Sequence, residues 1–514
     1  MILQNNFSNF TIFNFESFLI VPELFISYTL LQLSLYSVSL PYLKKHSRKA
    51  NSLILPDFSV IGFFIFYLSL MLMLNEDFFQ NPDLTSSFNN IFINDHLSSI
   101  SKTVICVAIA VFFSSSRFVK KDLSLLNSFE YTAFIIASGL GSLLLCSAGD
   151  LITAYLALEL QSVSFYFMSC SKKNSIYSVE SGLKYFIVGA FSSVFFLFGS
   201  SYIYLISGTL NFTELNILLT LLPLSEDHQI YISALNIGFL MVGFSLLVKL
   251  AAAPFHFWSL DVYESSPSST TYFFAVIPKM GLFILLVRIF YLTNAILLFD
   301  FSTYCLAIAA VSIGFGSVGG LEQRKLKTLL AYSAISHTGY ILLTFSTSTT
   351  TSIAMMFYYL IFYMISSFCF WFVFTFLKQK SIAYSAKINK EIGDFSMLSK
   401  SNPALSAVIC LTMFSLAGIP PLIGFLIKFG AFFTLIQTSA YLIATVGILL
   451  SLMSTFYYLR FIKIIFFENK RAGKLYYPIK SDKALLLSAM ALFLIVLFIN
   501  PSLIYLWASK ASLF

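Results

Sequence analysis

The sequence predicts an all-α, polytopic transmembrane fold of about fourteen helices, built from two inverted five-helix repeats with discontinuous helices seven and twelve. Three observations predict it. Hydrophobic residues make up 58% of the chain and charged residues only 11%, with a mean hydropathy of +0.85; a soluble globular chain carries about 25% charged residues. Apolar windows of about 20 residues, the length that crosses a bilayer, recur along the whole chain. Basic residues gather in alternate connections between those windows.

In order, the spans are 18–40, 53–74, 97–116, 127–147, 149–170, 183–207, 231–265, 269–292, 299–320, 326–347, 352–378, 403–437, 439–467 and 484–508. The seventh and twelfth are too long for one straight crossing, and each holds proline near its middle: Pro254, and the pair Pro420–Pro421. Proline removes a helix donor and clashes with the carbonyl one turn back, so both spans should be broken.

The net charge of +8 could serve a nucleic-acid partner. Its distribution excludes that reading. Odd-numbered loops hold clusters such as Lys44–Lys49, Arg117–Lys121, Arg324–Lys327, Lys378–Lys400 and Lys470–Lys483, whereas even loops carry Glu76, Asp77, Glu226 and Asp227. This is positive-inside topology, with both termini on the opposite face.

Several features resemble chemical motifs and are not. The six cysteines lie singly in apolar spans, without C-x-x-C pairing, and behave as small hydrophobes; no disulfide, iron–sulfur cluster or zinc is expected. The stretch MILQNNFSNFTIFNFES lacks Arg and Lys, unlike a signal or transit peptide. GFGSVG, residues 314–319, matches a dinucleotide fingerprint but lies inside an apolar span with no βαβ unit. Its glycines suit close helix packing.

The stretch LVKLAAAPFHFW, residues 247–258, breaks three local rules at once with Lys249, Pro254 and His256. A charge at the bilayer centre costs about 2.5–3.5 kcal/mol on insertion scales. Glu159, Lys249, Lys279 and Lys428 lie far from either interface, on four different spans, and such groups at similar depth read as a proton or ion relay. Lysine suits that work because burial disfavours its charged form and a neighbouring carboxylate favours it. His256 and His337 are open to both a relay and a structural role, because a neutral buried His is cheap. Lys184, one and a half turns into its helix, is a relay candidate that snorkelling also explains. Snorkelling is the expectation for Lys102, Arg288, Arg460 and Lys463. Broken helices at mid-membrane expose backbone to a wet cavity, so Pro254 would open the helix where Lys249 exchanges a proton.

Helices four to eight and nine to thirteen each place the broken helix fourth of five. Five is odd, so the second group enters from the opposite face, which makes the repeat inverted. The expected organisation is residues 1–126 for helices one to three, 127–292 and 293–467 for the two repeats, and 468–514 for the last helix.

The segments DLITAYLALELQS, ESGLKYFIVGA, KLAAAPFHFWSLDVYESSPSSTTYFFAVIPKMG, LKTLLAYSAISHTGYI and MFSLAGIPPLIGFLIKF together resemble the antiporter-like membrane subunits of mitochondrial NADH:ubiquinone oxidoreductase, complex I. The resemblance covers residues 127–467 strongly and is thin before them, apart from VPELF. It implies that Glu159 and Lys249 form the coupled pair of an input half-channel. It further implies that Lys279 with His256 and His337 makes the central connection, and that Lys428 is the lysine of the output half. Among the family's members the chain 2 type fits best: the chain 4 type typically has Glu at the position of Lys428, and the chain 5 type is longer. The resemblance also implies no cofactor bound by this chain, with NADH, FMN, iron–sulfur clusters and ubiquinone held by other subunits. Its expected partners are the other membrane-arm subunits (chain 4 and the small chains) and membrane lipids, and its expected site is the mitochondrial inner membrane, as a multi-pass protein.

A subunit of a cation/proton antiporter complex and an inert scaffold are the competing readings. The topology itself is testable: protease or label should reach residues 378–400 from the matrix side, and accessibility from the intermembrane space would overturn it.

Overall fold

The computed structural model describes residues 20–46, 58–79, 85–116, 129–172, 175–221, 226–292, 295–377, 391–396, 398–468, 476, 479 and 481–512. Helices account for nearly all of them. The first three are α1 (Val21–His46), α2 (Phe58–Phe79) and α3 (His96–Ser116), with a small hairpin, β1 (Thr85–Ser87) and β2 (Phe92–Asn94), before α3. Next come α4 (Phe129–Ser147), α5 (Leu151–Ser169), α6 (Ile176–Ser207), the short α7 (Phe212–Leu221), α8 (Glu226–Lys249), α9 (Phe257–Ser265) and α10 (Ser268–Leu292). After them follow α11 (Ala295–Leu321), α12 (Leu326–Ser346), α13 (Thr350–Phe376), α14 (Leu398–Ser401), α15 (Pro403–Ala417), α16 (Ile423–Gln437) and α17 (Tyr441–Phe466). The chain closes with α18 (Ser481–Ile499) and α19 (Ser502–Ala511).

Every predicted span has a counterpart. Among the described residues, nine helices are individually long and apolar enough to cross a membrane. The polar sequence of α12 keeps it out of that set, yet it is buried on nearly every side. The seventh span breaks after Lys249 and resumes at Phe257; the twelfth breaks after Ala417 and resumes at Ile423. Both expected breaks are therefore present. The fourteenth span needs correction: α18 and α19 meet at 81°, because Pro501 cannot continue a helix. The basic clusters at 47–49, 117–121 and 378–390 and in 470–475 lie outside the described residues, as does the boundary expected at 126–127.

Packing repeats between the two groups of five. In the first, α4 packs on α5, α5 on α6, α6 on both α8 and α9, and α10 returns to α4. In the second, α11 packs on α12, α12 on α13, α13 on both α15 and α16, and α17 returns to α11. The helix that joins the two groups is α10, buried on all sides from residue 269 to 290. It packs against α3, α4, α5, α11, α12 and α13, as an all-round apolar helix should.

The snorkelling expectation fails for two residues. Arg288 and Lys102 are only 1% and 4% exposed, because the hairpin and α1 cover the helix ends where water was expected. Arg288 Nη2 lies 2.7 Å from Asp95 Oδ1, and its Nε donates to the Cys146 carbonyl at 2.7 Å. Asp95 also caps α3, accepting from the Ser98 N–H at 2.8 Å while Ser98 Oγ accepts from the Asp95 N–H at 2.9 Å, a reciprocal capping box. Lys102 pairs with Glu23 of α1 at 2.6 Å and donates to Asn94 Oδ1 at 3.1 Å. Two buried ion pairs thus tie α1, α3, α10 and β2 together.

Breaking a buried pair by removing one partner costs about 3–5 kcal/mol, because the other charge is left uncompensated. Arg288→Leu should therefore lower the unfolding temperature markedly in thermal melts of the purified protein. Adding Asp95→Leu should recover most of that loss apart from the α3 cap, worth about 1 kcal/mol.

Candidate functional site: a line of buried charged groups

The two breaks are built alike. A helix end leaves carbonyls without intrahelical donors, and each break supplies a side chain for one of them. Trp258, two residues into α9, donates its indole N–H to the Val248 carbonyl at 3.0 Å. Lys428, in the second turn of α16, donates to the Ala417 carbonyl at 2.8 Å. Cations are stabilised at a helix C-terminus, where the macrodipole is negative. Gly418 makes that contact possible. Its φ of +81° is left-handed, and a Cβ there would lie 2.8 Å from Lys428 Cδ, so glycine allows both the turn and the lysine without strain. At the first break Ala251 takes a left-handed φ of 57° two residues after Lys249. Such strain in a non-glycine residue persists only where the surroundings hold it, and it gathers at functional positions.

Glu159, on α5, faces Lys249 at the end of α8 with 3.6 Å between Oε1 and Nζ. The lysine is 11% exposed and the glutamate 28%; Ser162 Oγ lies 3.3 Å from Glu159 Oε2. Lys249 borders a cavity of about 40 Å³ that Lys279 also lines, with Gln161, Ser162, Tyr166 and Tyr263. About 10–15 Å³ suffices for one water, so a few fit between the two lysines. Lys279 is buried on α10. Its Nζ donates to the Ala334 carbonyl of α12 at 3.2 Å and to the Tyr363 hydroxyl of α13 at 3.3 Å, and lies 4.6 Å from the Tyr363 ring centre. One turn further along α12, His337 meets Tyr359 at 2.8 Å through Nδ1 and Tyr458 at 3.3 Å through Nε2. Beyond it, Lys428 lies 5.3 Å from the ring centre of Tyr340.

The structure therefore brings Glu159, Lys249, Lys279, His337 and Lys428 into one line, partly exposed at Glu159 and buried from Lys279 onward, spaced by tyrosines and a small cavity. His256 and Lys184 lie apart from it. The His256 ring packs between Phe257 and Phe315, with centroids at 4.5 and 5.4 Å, an aromatic setting that fits its structural alternative. Lys184 is 45% exposed and pairs with Glu180 at 2.9 Å and Asp261 at 2.8 Å, tying α6 to α9. Exposed pairs of this kind add little to stability, because solvent screens them. Close by, Lys325 pairs with Glu264, and Lys327 donates to the Ser266 carbonyl at 2.6 Å. Sequence reasoning missed Tyr359, Tyr363 and Tyr458. Tyr359 and Tyr363 stand at i and i+4 on α13, a spacing hidden among 28 tyrosines and 59 phenylalanines, and Tyr458 on α17 has no such spacing.

The profile of the NADH:quinone oxidoreductase/Mrp antiporter transmembrane family matches residues 148–454, which hold every group of the line. NADH-ubiquinone oxidoreductase chain 2 of Marchantia polymorpha is 38% identical over 393 residues, 76% of this chain and 77% of the relative. NADH-quinone oxidoreductase subunit N of Pelagibacter ubique is 35% identical over 453 residues, 88% and 90% of the two chains. In fold, the chain is similar to a chain of respiratory complex I from Thermus thermophilus, with a TM-score of 0.72 at 23% identity over 93% of this chain and 98% of that one. A chain of the Mrp complex from a Dietzia species gives a TM-score of 0.78 at 18% identity, covering 97% of each. The chain belongs to the NADH:quinone oxidoreductase/Mrp antiporter family of membrane subunits.

Proposed function

We propose that this chain is a chain 2-type membrane-arm subunit of a proton-pumping NADH:ubiquinone oxidoreductase, and that it moves protons along the line from Glu159 to Lys428. One observation carries the relay reading: the cavity bordered by both Lys249 and Lys279 joins the Glu159–Lys249 pair to the central lysine. In this reading Glu159 and Lys249 load the path, with the ion pair as the switch. Lys279 and His337 make the central connection, and Lys428 at the second break releases the proton. Lys184 and His256 flank the first break from outside the line, Lys184 by pinning α9 to α6.

The chain's own groups are proton carriers. NADH, FMN, iron–sulfur clusters and ubiquinone belong in this reading to other subunits, the partners being chain 4 and the small membrane chains, in the mitochondrial inner membrane. The division into three leading helices, repeats over 127–292 and 293–467, and a closing element over 468–514 belongs to the same proposal. A subunit of a cation/proton antiporter is the second reading. The Mrp likeness favours it in fold, while the relatives at 35–38% identity favour the first.

Lys249→Ala separates these readings from an inert scaffold. It leaves Glu159 without its cation while keeping most apolar packing. Reconstituted in vesicles, the assembled complex should lose proton uptake by roughly 10²-fold, within the range a positioned proton-transfer group contributes, and NADH oxidation should fall with it. Lys249→Arg should rescue only partly, since guanidinium stays charged and cannot release a proton. Wild-type pumping in the assembled Ala variant would favour the scaffold. Co-purification with a cation-exchange assembly that lacks NADH oxidation would favour the antiporter.

A further inference from the structure

Both ring nitrogens of His337 face tyrosine hydroxyls, from two different helices. Nδ1 lies 2.8 Å from Tyr359 Oη on α13, and Nε2 lies 3.3 Å from Tyr458 Oη on α17. All three residues are 1% exposed. A neutral imidazole has one N–H and one free lone pair, and a tyrosine hydroxyl both donates and accepts. In either tautomer, one tyrosine therefore donates to the ring while the other accepts from it, and both nitrogens stay satisfied. The lysines on either side approach aromatic faces: Lys279 lies 4.6 Å from the Tyr363 ring centre and Lys428 5.3 Å from that of Tyr340. Those two rings in turn sit 5.3 and 6.3 Å from the imidazole.

We propose that Tyr359 and Tyr458 clamp His337 and carry the proton to and from it, so that the central connection runs through the imidazole and its two hydroxyls. The proposal rests on reading Lys279, His337 and Lys428 as one relay. The step balances without any redox change. A proton reaching one tyrosine oxygen lets that hydroxyl pass its own proton to the facing nitrogen. The opposite nitrogen then releases its N–H proton to the second tyrosine oxygen, which passes on its own. One proton has crossed, and the oxygens and the ring hold as many protons as before. Only the tautomer has changed, so the ring must reset before the next proton follows. Lys279 and Lys428 are the source and the sink.

The test uses Tyr359→Phe and Tyr458→Phe in the assembled complex in vesicles, with proton uptake measured in H₂O and in D₂O. Tyr358→Phe is the control; its ring packs edge-on to Tyr505, away from His337. Each clamp variant should slow uptake by about 10²-fold and raise the H₂O-to-D₂O rate ratio above wild type, while the control changes neither. Slower uptake with an unchanged isotope ratio means a merely structural role and overturns the clamp. Wild-type uptake in both clamp variants overturns it too. Lys279→Ala tells that failure from failure of the relay: lost pumping there with wild-type clamp variants removes the clamp alone, whereas wild-type pumping in Lys279→Ala removes the relay. Should a Phe variant fail to assemble, 3-fluorotyrosine at position 359 or 458 keeps the ring and makes the hydroxyl more acidic. It should change the uptake rate severalfold where the same label at 358 does not, and an unchanged rate overturns the proposal.

Discussion

Inside hydrocarbon no water is available to a free backbone group, so an interrupted helix survives only where the protein itself supplies partners. That constraint organises the structure. Each break frees carbonyls at the end of the preceding helix and draws a side-chain donor from the following segment: the Trp258 indole joins the Ala251 N–H on the Val248 carbonyl, and the Lys428 ammonium takes the Ala417 carbonyl. At the second break the repair places a cation mid-membrane, and Gly418 leaves room for its stem. The charged site is in this sense a product of how the helix was broken and mended.

The cation count sharpens the point. Along the line there are three lysines and one carboxylate, and among the described residues only Lys249 has an acidic partner in contact. Lys279 and Lys428 rest on carbonyl oxygens and aromatic faces instead. Such contacts hold an ammonium less strongly than an ion pair does and satisfy a neutral amine without leaving a bare anion behind. The Glu23–Lys102 and Asp95–Arg288 pairs are the contrast: both partners of each are buried, and the two are linked through the adjacent residues Asn94 and Asp95. One set of charges is closed by ion pairs, and the other, which the proposed relay uses, is largely not.

Much of this was legible in the sequence because it rests on local rules. Proline inside an over-long apolar span announces a break, and Lys249, Lys279 and Lys428 stand out because nothing near them in sequence explains a charge. What escaped was long-range. Position along a helix suggested that Arg288 and Lys102 could reach water, but residues 85–95 fold over those helix ends, and no periodicity connects them. Tyr359 and Tyr458 carry no signal alone, since an aromatic residue on an apolar helix is ordinary; only the fold shows that both hydroxyls converge on one imidazole. His337 and His256 looked alike in sequence, and only packing separates a hydrogen-bonded ring from a stacked one. The turn at Pro501 was missed because the apolar flanks on both sides read as one span.

The burial of α10 has a mechanical meaning. This helix carries Lys279 near its middle and Arg288 nine residues later, about 13 Å along the axis. Arg288 is fastened to Asp95 and to the end of α4. Enclosed from residue 269 to 290 and bolted at one end, α10 is a post about which its neighbours can move. Its lysine is then the fixed reference of the path. In the relay proposed above, any gating has to come from the outer pieces, from α5 and α8 on one side and α16 on the other, approaching or leaving a lysine that keeps its place.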